Sequence, residues 1–246
     1  MLLAMVSQPM SSTLAFILLT LTLAVVSLSE PISLPANRTL MKTVTALMLL
    51  ELLAKVKIVG VKVLSASGSG STSGVVAGMN WVAARAVSDK SFVNISLGGG
   101  RSTAINDAAQ RLYRANIPLI VAVGNSTTTD ACNGSFLGAP NTLTAAASDK
   151  TDKAASFNSY GTCVEIFGPG VGITSAWVGS TTATNTISDT SMATPHVAGV
   201  AALYLSFNSL FTVQSVFDKL IYTATTGRVT GSLKGFPSRF IFNGAA

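Results

Sequence analysis

Residues 91–123 read SFVNISLGGGRSTAINDAAQRLYRANIPLIVAV. The two ends of this stretch, Phe92–Leu97 and Ile117–Val123, are short apolar runs of the kind that form buried strands. Between them, Ser102–Asn116 carries apolar residues at helical spacing and begins at a serine that can cap a helix. A buried strand, a helix and a second buried strand predict a parallel crossover unit.

The same alternation extends along the chain. Val56–Leu64 and Thr142–Ala147 are predicted as further strands, and Val75–Val87 as a helix. Strands that are apolar on both sides predict an α/β fold, a parallel sheet with helices on both faces. Because active sites of such sheets lie at the carboxyl ends of the strands, we expect functional residues after Leu97 and after Val123.

Length and charge limit the domain organisation and the partners. We expect one folded domain, residues 54–246, preceded by an apolar segment, residues 1–53. The formal charge is +6, but the lysines and arginines are scattered, without a basic cluster or interleaved aromatic residues. The composition therefore excludes nucleic acid as an expected partner.

The N-terminal segment contains two apolar runs. Thr13–Leu28 is shorter than the roughly 20 residues of a membrane span and is interpreted as the apolar part of a signal peptide, although the first basic residue is Arg38. A membrane anchor and an aberrant segment that never evolved to fold remain alternatives, and contact with a membrane is expected only through this segment if it stays uncleaved. Thr43–Leu53 is predicted as a helix.

Residues 187–199 read ISDTSMATPHVAG, with Ser191 at the opening of a predicted helix and Pro195 in its first turn. A serine hydroxyl becomes a strong nucleophile only when a positioned base, usually a histidine oriented by a carboxylate, takes its proton. His196 is the one histidine of the sequence and follows Ser191 by five residues. The two side chains then point about 140° apart around the helix, so His196 is predicted to be a packed helix residue and not the base.

Several further runs occur in a fixed order. They are VGVKVL at 59–64, GSGSTSGVVAGM at 68–79, NISLGGG at 94–100, VAVGN at 121–125, ASFNSYG at 155–161 and FGPG at 167–170, followed by the Ser191 run. This order resembles the subtilases, the subtilisin-like serine endopeptidases, and in particular their secreted branch of proteinase K and aqualysin. The resemblance covers about residues 54–246.

The resemblance implies a role for each motif. Ser191 takes the nucleophile position, with a helix N-cap as the plain alternative, and Asn125 takes the oxyanion-donor position, with a turn residue as the alternative. An extended peptide is expected to add as a strand, although 96–98 could be an ordinary edge strand. The implied substrate-binding residues are Gly68, Ser69, Gly70, Ser96, Leu97, Gly98, Ala122, Val123 and Gly124.

The chain also departs from the family pattern. The family's catalytic aspartate and histidine motifs, carried by a central strand and a buried helix, lie upstream of Val59, and this chain has neither aspartate nor histidine before Ala54. Asp189 stands where the family has glycine, and its carboxylate is expected to repel a developing oxyanion. We therefore expect a serine-type endopeptidase by family that is inactive as this chain. A non-catalytic peptide-binding domain and a truncated gene product that does not accumulate are the alternatives.

Cys132 and Cys163 allow one intramolecular pairing, with two free thiols as the alternative. The resemblance implies a disulfide at these positions, and with it a secreted, extracellular protein. It also implies a structural calcium near Pro140, Thr142 and Glu165, but no cofactor is required and no His/Cys cluster demands a metal.

Overall fold

The computed structural model describes residues 23–27, 57–65, 68–177, 182–207, 212–233 and 235–243. The predicted helix at 43–53 lies outside this range, as does most of the apolar run 13–28. Among the described residues, every helix is too short or too polar to cross a bilayer.

Among the described residues, the core of the fold is an eight-stranded, mostly parallel sheet with the strand order β2-β1-β3-β4-β5-β6-β10-β9. Strands β3 to β6 are parallel to one another, and β10 is parallel to β6. A separate antiparallel hairpin, β7-β8, precedes the Ser191 helix. The strands are β1 (Leu23–Ser27), β2 (Lys57–Val61), β3 (Ser91–Ile95), β4 (Leu119–Ala122), β5 (Leu143–Ser148), β6 (Ile166–Pro169), β7 (Ile173–Ala176), β8 (Thr184–Ile187), β9 (Thr225–Thr226) and β10 (Arg239–Phe240).

The described helices are α1 (Thr72–Ala83), α2 (Thr103–Arg114), α3 (Thr190–Phe207) and α4 (Val213–Thr223). They cover both faces of the sheet, as β4 shows residue by residue. Ile120 packs with apolar residues of α3 and α4, whereas its neighbours Leu119 and Val121 pack with those of α1 and α2. Because successive side chains of a strand point to opposite faces, this alternation confirms the predicted α/β sheet with helices on both sides.

The four predicted strands and two predicted helices are confirmed, with ends shifted by a few residues. The predicted strand Val56–Leu64 differs most, since the observed strand β2 ends at Val61. After β2 the chain packs closely against the start of α1: a Cβ at Gly70 would lie 2.5 Å from the Val63 carbonyl oxygen. The predicted strand thus ends where its backbone contacts a loop instead of another strand.

The N-terminal apolar run contributes a strand to the sheet. Residues Leu23–Ser27 lie between β2 and β3 and are antiparallel to both, with Val25 opposite Val59 and Val93. The sequence predicts that the N-terminal segment is a poor substitute for a missing central strand, yet this part of it is paired on both edges. The physical reason is that an uninterrupted apolar run with β-branched residues suits a strand buried within a sheet as well as it suits a signal sequence.

Candidate active site

The carboxyl ends of β3 and β4 meet the first turn of α3. Ser96 donates its hydroxyl to the carbonyl of Ser191 at 3.3 Å, and the Gly124 amide donates to Thr190 Oγ1 at 3.2 Å. The Thr190 amide donates to Asn125 Oδ1 at 3.1 Å. Three residues predicted from separate motifs, Ser96, Asn125 and Ser191, therefore lie together at one edge of the sheet.

The start of α3 is capped by Asp189. One carboxylate oxygen of Asp189, Oδ1, accepts from the Ser191 amide at 2.6 Å, which is the usual bond of an aspartate N-cap. Ser191 is the second residue of the helix, so the alternative that Ser191 itself is the cap is wrong. The cap places the Ser191 amide, a first-turn donor that has no partner within the helix, at the edge of the sheet.

Pro195 lies inside α3, one turn later than predicted. A proline has no amide hydrogen, so the Ser191 carbonyl lacks the donor that residue 195 would normally supply. The Ser96 hydroxyl donates to this carbonyl in its place. The proline thereby frees an acceptor that joins the helix to the end of β3.

The second oxygen of Asp189, Oδ2, accepts from Asn125 Nδ2 at 2.6 Å. One carboxylate thus accepts from the Asn125 side-chain amide, the donor that the resemblance assigns to the oxyanion, and from the backbone amide of Ser191, the residue at the nucleophile position. Asp189 is half-buried, and no ion pair to it occurs among the described residues. The sequence predicts that Asp189 disfavours an oxyanion. The geometry is consistent with this, because its carboxylate already accepts from both donors.

His196 is a half-buried residue of α3, as predicted. Its Nδ1 lies 2.7 Å from the Met192 carbonyl oxygen, which can only accept, so Nδ1 carries the proton. Burial lowers the pKa of His196, although the bond to Met192 opposes this effect. The Ser191 hydroxyl makes no hydrogen bond to another described residue. No base is therefore hydrogen-bonded to the Ser191 hydroxyl in the part of the chain that the structure describes.

The backbone that follows β3 is open on one side. A Cβ added at Gly98, Gly99 or Gly100 would meet nothing within 4 Å. The far end of the loop is fixed by Ser135, whose hydroxyl donates to the Gly100 carbonyl at 2.6 Å. The loop is thus anchored and accessible, as a docking edge for a peptide strand must be. The predicted role of Ser96, Leu97 and Gly98 in substrate binding stays a prediction.

The other predicted substrate contacts differ in accessibility. Val123 is 1% exposed, and both backbone groups of Gly124 are already bonded, its amide to Thr190 and its carbonyl to the Ser159 amide. Gly124 has φ +90°, which a residue with a side chain rarely adopts. Gly68 and Ser69 are held against Ser65 by two backbone bonds: the Gly68 amide donates to the Ser65 carbonyl at 3.1 Å, and the Ser65 amide donates to the Ser69 carbonyl at 2.8 Å. For Ala122, Val123, Gly124 and residues 68–70, a substrate role stays a prediction.

The disulfide prediction is confirmed, and the free-thiol alternative is wrong. Cys132 and Cys163 are bonded, with 5.5 Å between their Cα atoms. The bridge joins the short 3-10 turn Ala131–Asn133, which follows the Asn125 loop, to the segment that leads into β6. On the loop-entropy estimate, a bridge of this span stabilises the fold by about 3–4 kcal/mol.

The calcium site that the resemblance implies near Pro140, Thr142 and Glu165 stays a prediction, and two of its three ligands would be backbone carbonyls. Within the described ranges there is no group of three His, Cys, Asp or Glu side chains that could hold a metal. Glu165 is the one acidic side chain of the proposed set, and its Oε2 accepts from the Thr144 amide at 2.6 Å. Burial raises the pKa of Glu165 to about 7, which disfavours the charged form that calcium prefers.

Thr190 is the site residue that sequence reasoning missed. It is 1% exposed, its hydroxyl accepts from the Gly124 amide, and its own amide donates to Asn125. The sequence feature that could have indicated Thr190 is its position between Asp189 and Ser191 in the run 187–199. A threonine beside the predicted nucleophile can join the β4 loop to the helix, but spacing alone did not reveal this contact.

Residues 37–237 match the Subtilase family, so the similarity begins before the motifs quoted above. A "Cuticle-degrading serine protease" of Arthrobotrys oligospora is 48% identical over 193 residues, which are 78% of this chain and 47% of that protein. A "Subtilisin-like serine protease AsES" of Sarocladium strictum is 46% identical over 191 residues, 76% of this chain and 48% of that protein.

A solved structure, that of "a cold adapted subtilisin-like serine proteinase", superimposes on this chain with a TM-score of 0.70 and is 42% identical to it in sequence. The match covers 75% of this chain and 66% of the solved chain. This chain spans about half the length of the two relatives above. Order of motifs, sheet topology and similarity agree: the chain belongs to the subtilase family of serine proteases.

Proposed function

We propose that the function of this protein is serine-type endopeptidase chemistry, the hydrolysis of peptide bonds in extended peptide or protein substrates. This chain supplies two components of that chemistry, Ser191 at the nucleophile position and Asn125 at the oxyanion position. The histidine base and its orienting aspartate are absent from the motif positions that the family uses. We therefore propose that these 246 residues on their own do not hydrolyse peptides.

The observation that carries this proposal is that the Ser191 hydroxyl has no base hydrogen-bonded to it among the described residues. The one histidine of the sequence, His196, directs its protonated nitrogen to the Met192 carbonyl on the same helix. In subtilisin, another subtilase, removal of the catalytic triad lowers turnover about a millionfold, and the remaining roughly 10³–10⁴-fold advantage over water comes from the oxyanion site and binding. In this chain the Asn125 side-chain amide is also bonded to Asp189.

The test is a burst experiment with an activated ester, using this chain and a Ser191→Ala variant as the matched control. We expect no stoichiometric release of the leaving group from either protein. A burst that disappears in the Ser191→Ala variant would show that an unidentified base activates Ser191.

Peptide binding without turnover is the second candidate function, and the open backbone at Gly98–Gly100 favours it. A fluorescent extended peptide titrated into the protein should bind saturably, and its anisotropy should stay constant over hours because the peptide is not cleaved. A Gly98→Pro variant should weaken binding, because proline has no backbone amide hydrogen to donate to an added strand and fixes the backbone of this edge. Equal affinity of both proteins would contradict binding at this edge.

The disulfide favours an oxidising, extracellular compartment.

Whether the aspartate and histidine motifs are encoded upstream is answered by sequencing the transcript around codons 1–60. An Asp-Thr/Ser-Gly segment and a His-Gly-Thr-His segment in a longer transcript would give this protein complete endopeptidase chemistry. Failure of the chain to accumulate in the cell would favour the truncated product.

A further inference from the structure

The Asp189 carboxylate has two hydrogen bonds with different consequences. The bond from the Ser191 amide to Oδ1 spans two residues and is what an aspartate N-cap forms at any helix. The bond from Asn125 Nδ2 to Oδ2 spans 64 residues and comes from the loop after β4. Helix capping requires the first bond only, so the second one calls for another explanation.

The two donors face one carboxylate, each binding a different oxygen of it. Asn125 is held in place through its other side-chain atom, because Oδ1 accepts from the Thr190 amide at 3.1 Å. The Asn125 amide group therefore cannot turn its Nδ2 away without breaking that bond. The Ser191 amide is fixed by the helix. Two fixed N–H donors that face one carboxylate form an anion site, and Asp189 fills it.

We propose that Asp189 is a tethered anion that occupies the oxyanion site and sets which ligands the cleft accepts. The proposal rests on the peptide-binding function proposed above. A ligand carboxylate, such as the free C-terminus of a cleaved peptide, would meet both a filled site and a like charge. An uninterrupted chain or an amidated end brings no such charge. The cleft therefore selects neutral peptide segments and rejects carboxylate ends at this position.

No described cation forms an ion pair with Asp189 that could offset its charge. Placing like charges next to each other strongly disfavours a complex, and each tenfold change in affinity corresponds to about 1.4 kcal/mol. We expect the intact chain to bind an amidated peptide at least about tenfold more tightly than the same peptide with a free carboxylate.

Two variants separate the anion from the cap. Asp189→Gly removes both bonds, and glycine is the residue that the family has at this position. Asp189→Ser keeps a side-chain oxygen that can cap Ser191 but has no charge and is too short to reach Asn125. An acetylated tetrapeptide with either a free acid or an amide at its C-terminus is titrated calorimetrically into all three proteins. In both variants the preference for the amide should fall at least tenfold, and in Asp189→Gly the free acid should bind more tightly than the amide.

A readout without ligand makes the test independent of peptide binding. Hydrogen exchange of the Ser191 amide and the NMR shift of the Asn125 side-chain amide report the two bonds directly. In Asp189→Gly the Ser191 amide should exchange at least about tenfold faster, and the Asn125 side-chain signal should move. In Asp189→Ser only the Asn125 signal should move.

The outcomes distinguish the two proposals. Unchanged Asn125 and Ser191 signals in Asp189→Gly, or an Asp189→Ser variant that rejects the free acid as strongly as the intact chain does, would overturn the tethered anion. If neither peptide binds any of the proteins while the signals change as expected, the anion site stands as assigned and the peptide-binding function fails.

Discussion

The hydroxyl of Ser96 donates to the carbonyl of Ser191, 3.3 Å away. That carbonyl is the acceptor that Pro195 leaves without its helical donor, because proline lacks an amide hydrogen. A strand end and a helix are thus joined through a carbonyl that the proline leaves without its helical donor. The joined elements carry the predicted substrate edge and the predicted nucleophile.

This relationship predicts non-additive effects of two substitutions. Ser96→Ala should lower the free energy of unfolding by about 1–2 kcal/mol, since it leaves the Ser191 carbonyl without a donor. In a Pro195→Ala background the new backbone amide at this position restores the helical donor, and Ser96→Ala should then cost less, because it removes only the 3.5 Å bond from Asn94 Nδ2 to the Ser96 hydroxyl. Urea unfolding of the unmodified chain, the two single variants and the double variant gives the coupling free energy between residues 96 and 195. The same loss in both backgrounds would contradict the role assigned to Pro195.

The disulfide predicts a covalent link in secreted material. A non-reduced digest should contain the peptides around Cys132 and Cys163 joined together, and mass spectrometry detects this directly. The Cys132→Ser/Cys163→Ser double variant should lose about 3–4 kcal/mol of stability on the loop-entropy estimate. Free thiols on both residues in protein recovered from outside the cell would remove the main support for the extracellular assignment.

Glu165 predicts that the protein loses stability as the pH rises towards neutrality. Burial raises its pKa to about 7 in the folded protein, against the ordinary value of 4.5, even though the Thr144 amide and Arg239 favour the charged form. The folded state therefore holds a proton that the unfolded state has released between these two pH values. Stability should fall as pH rises from about 4.5 to 7 and then level off, by at most about 3 kcal/mol.

A Glu165→Gln variant tests the assignment, because its side chain does not titrate. Its unfolding free energy, measured in urea between about pH 4.5 and 8, should lack the decline seen in the unmodified chain. A decline of equal size in both proteins would place its origin elsewhere.

His196 predicts the opposite dependence of stability on pH. Burial lowers its pKa below the ordinary value of 6.5, so the imidazole stays neutral in the fold at a pH where an unfolded chain binds a proton. Stability should therefore fall as pH drops below 6.5 towards the folded pKa. Because the sequence has one histidine, its NMR signals are unambiguous. They should show a proton on Nδ1 and a titration midpoint below 6.5, and a midpoint at or above 6.5 would contradict the burial argument.

The strand-helix alternation between Val56 and Ala147 could be predicted because apolar periodicity directly reflects burial on both faces of a parallel sheet. The site edge followed from the same topology, and it brought Ser96, Asn125 and Ser191 together. The Asp189–Asn125 bond could not be predicted, because it depends on the distance between two loops that are remote in sequence.

Several elements were missed for a similar reason. The two-residue strands β9 and β10 have no periodicity to detect, and they are defined by pairing with each other and with β6. The hairpin β7-β8 is partly exposed and polar, unlike the buried strands that the pattern favoured. The apolar pattern of the run 13–28 is compatible with a signal sequence and with a strand, so the pattern alone does not predict that Leu23–Ser27 pair with β2 and β3.

The position of β1 leads to a prediction about the N-terminal segment. The sequence alone favours an insoluble or molten state for a chain reduced to residues 54–246, and the structure gives a specific reason. Removing Leu23–Ser27 would unpair the facing edges of β2 and β3, whose Val59 and Val93 lie opposite Val25. Unpaired apolar strand edges favour aggregation.

A point substitution tests the same idea in the full chain. Val25→Pro removes a backbone donor in the middle of β1, and in a strand paired on both sides this breaks the ladder. We expect the variant to lose its cooperative thermal transition or to aggregate, whereas Val25→Thr, which keeps both the β-branch and the donor, should fold. A cooperative transition with dispersed side-chain NMR signals for Val25→Pro, or for residues 54–246 alone, would show that β1 is dispensable.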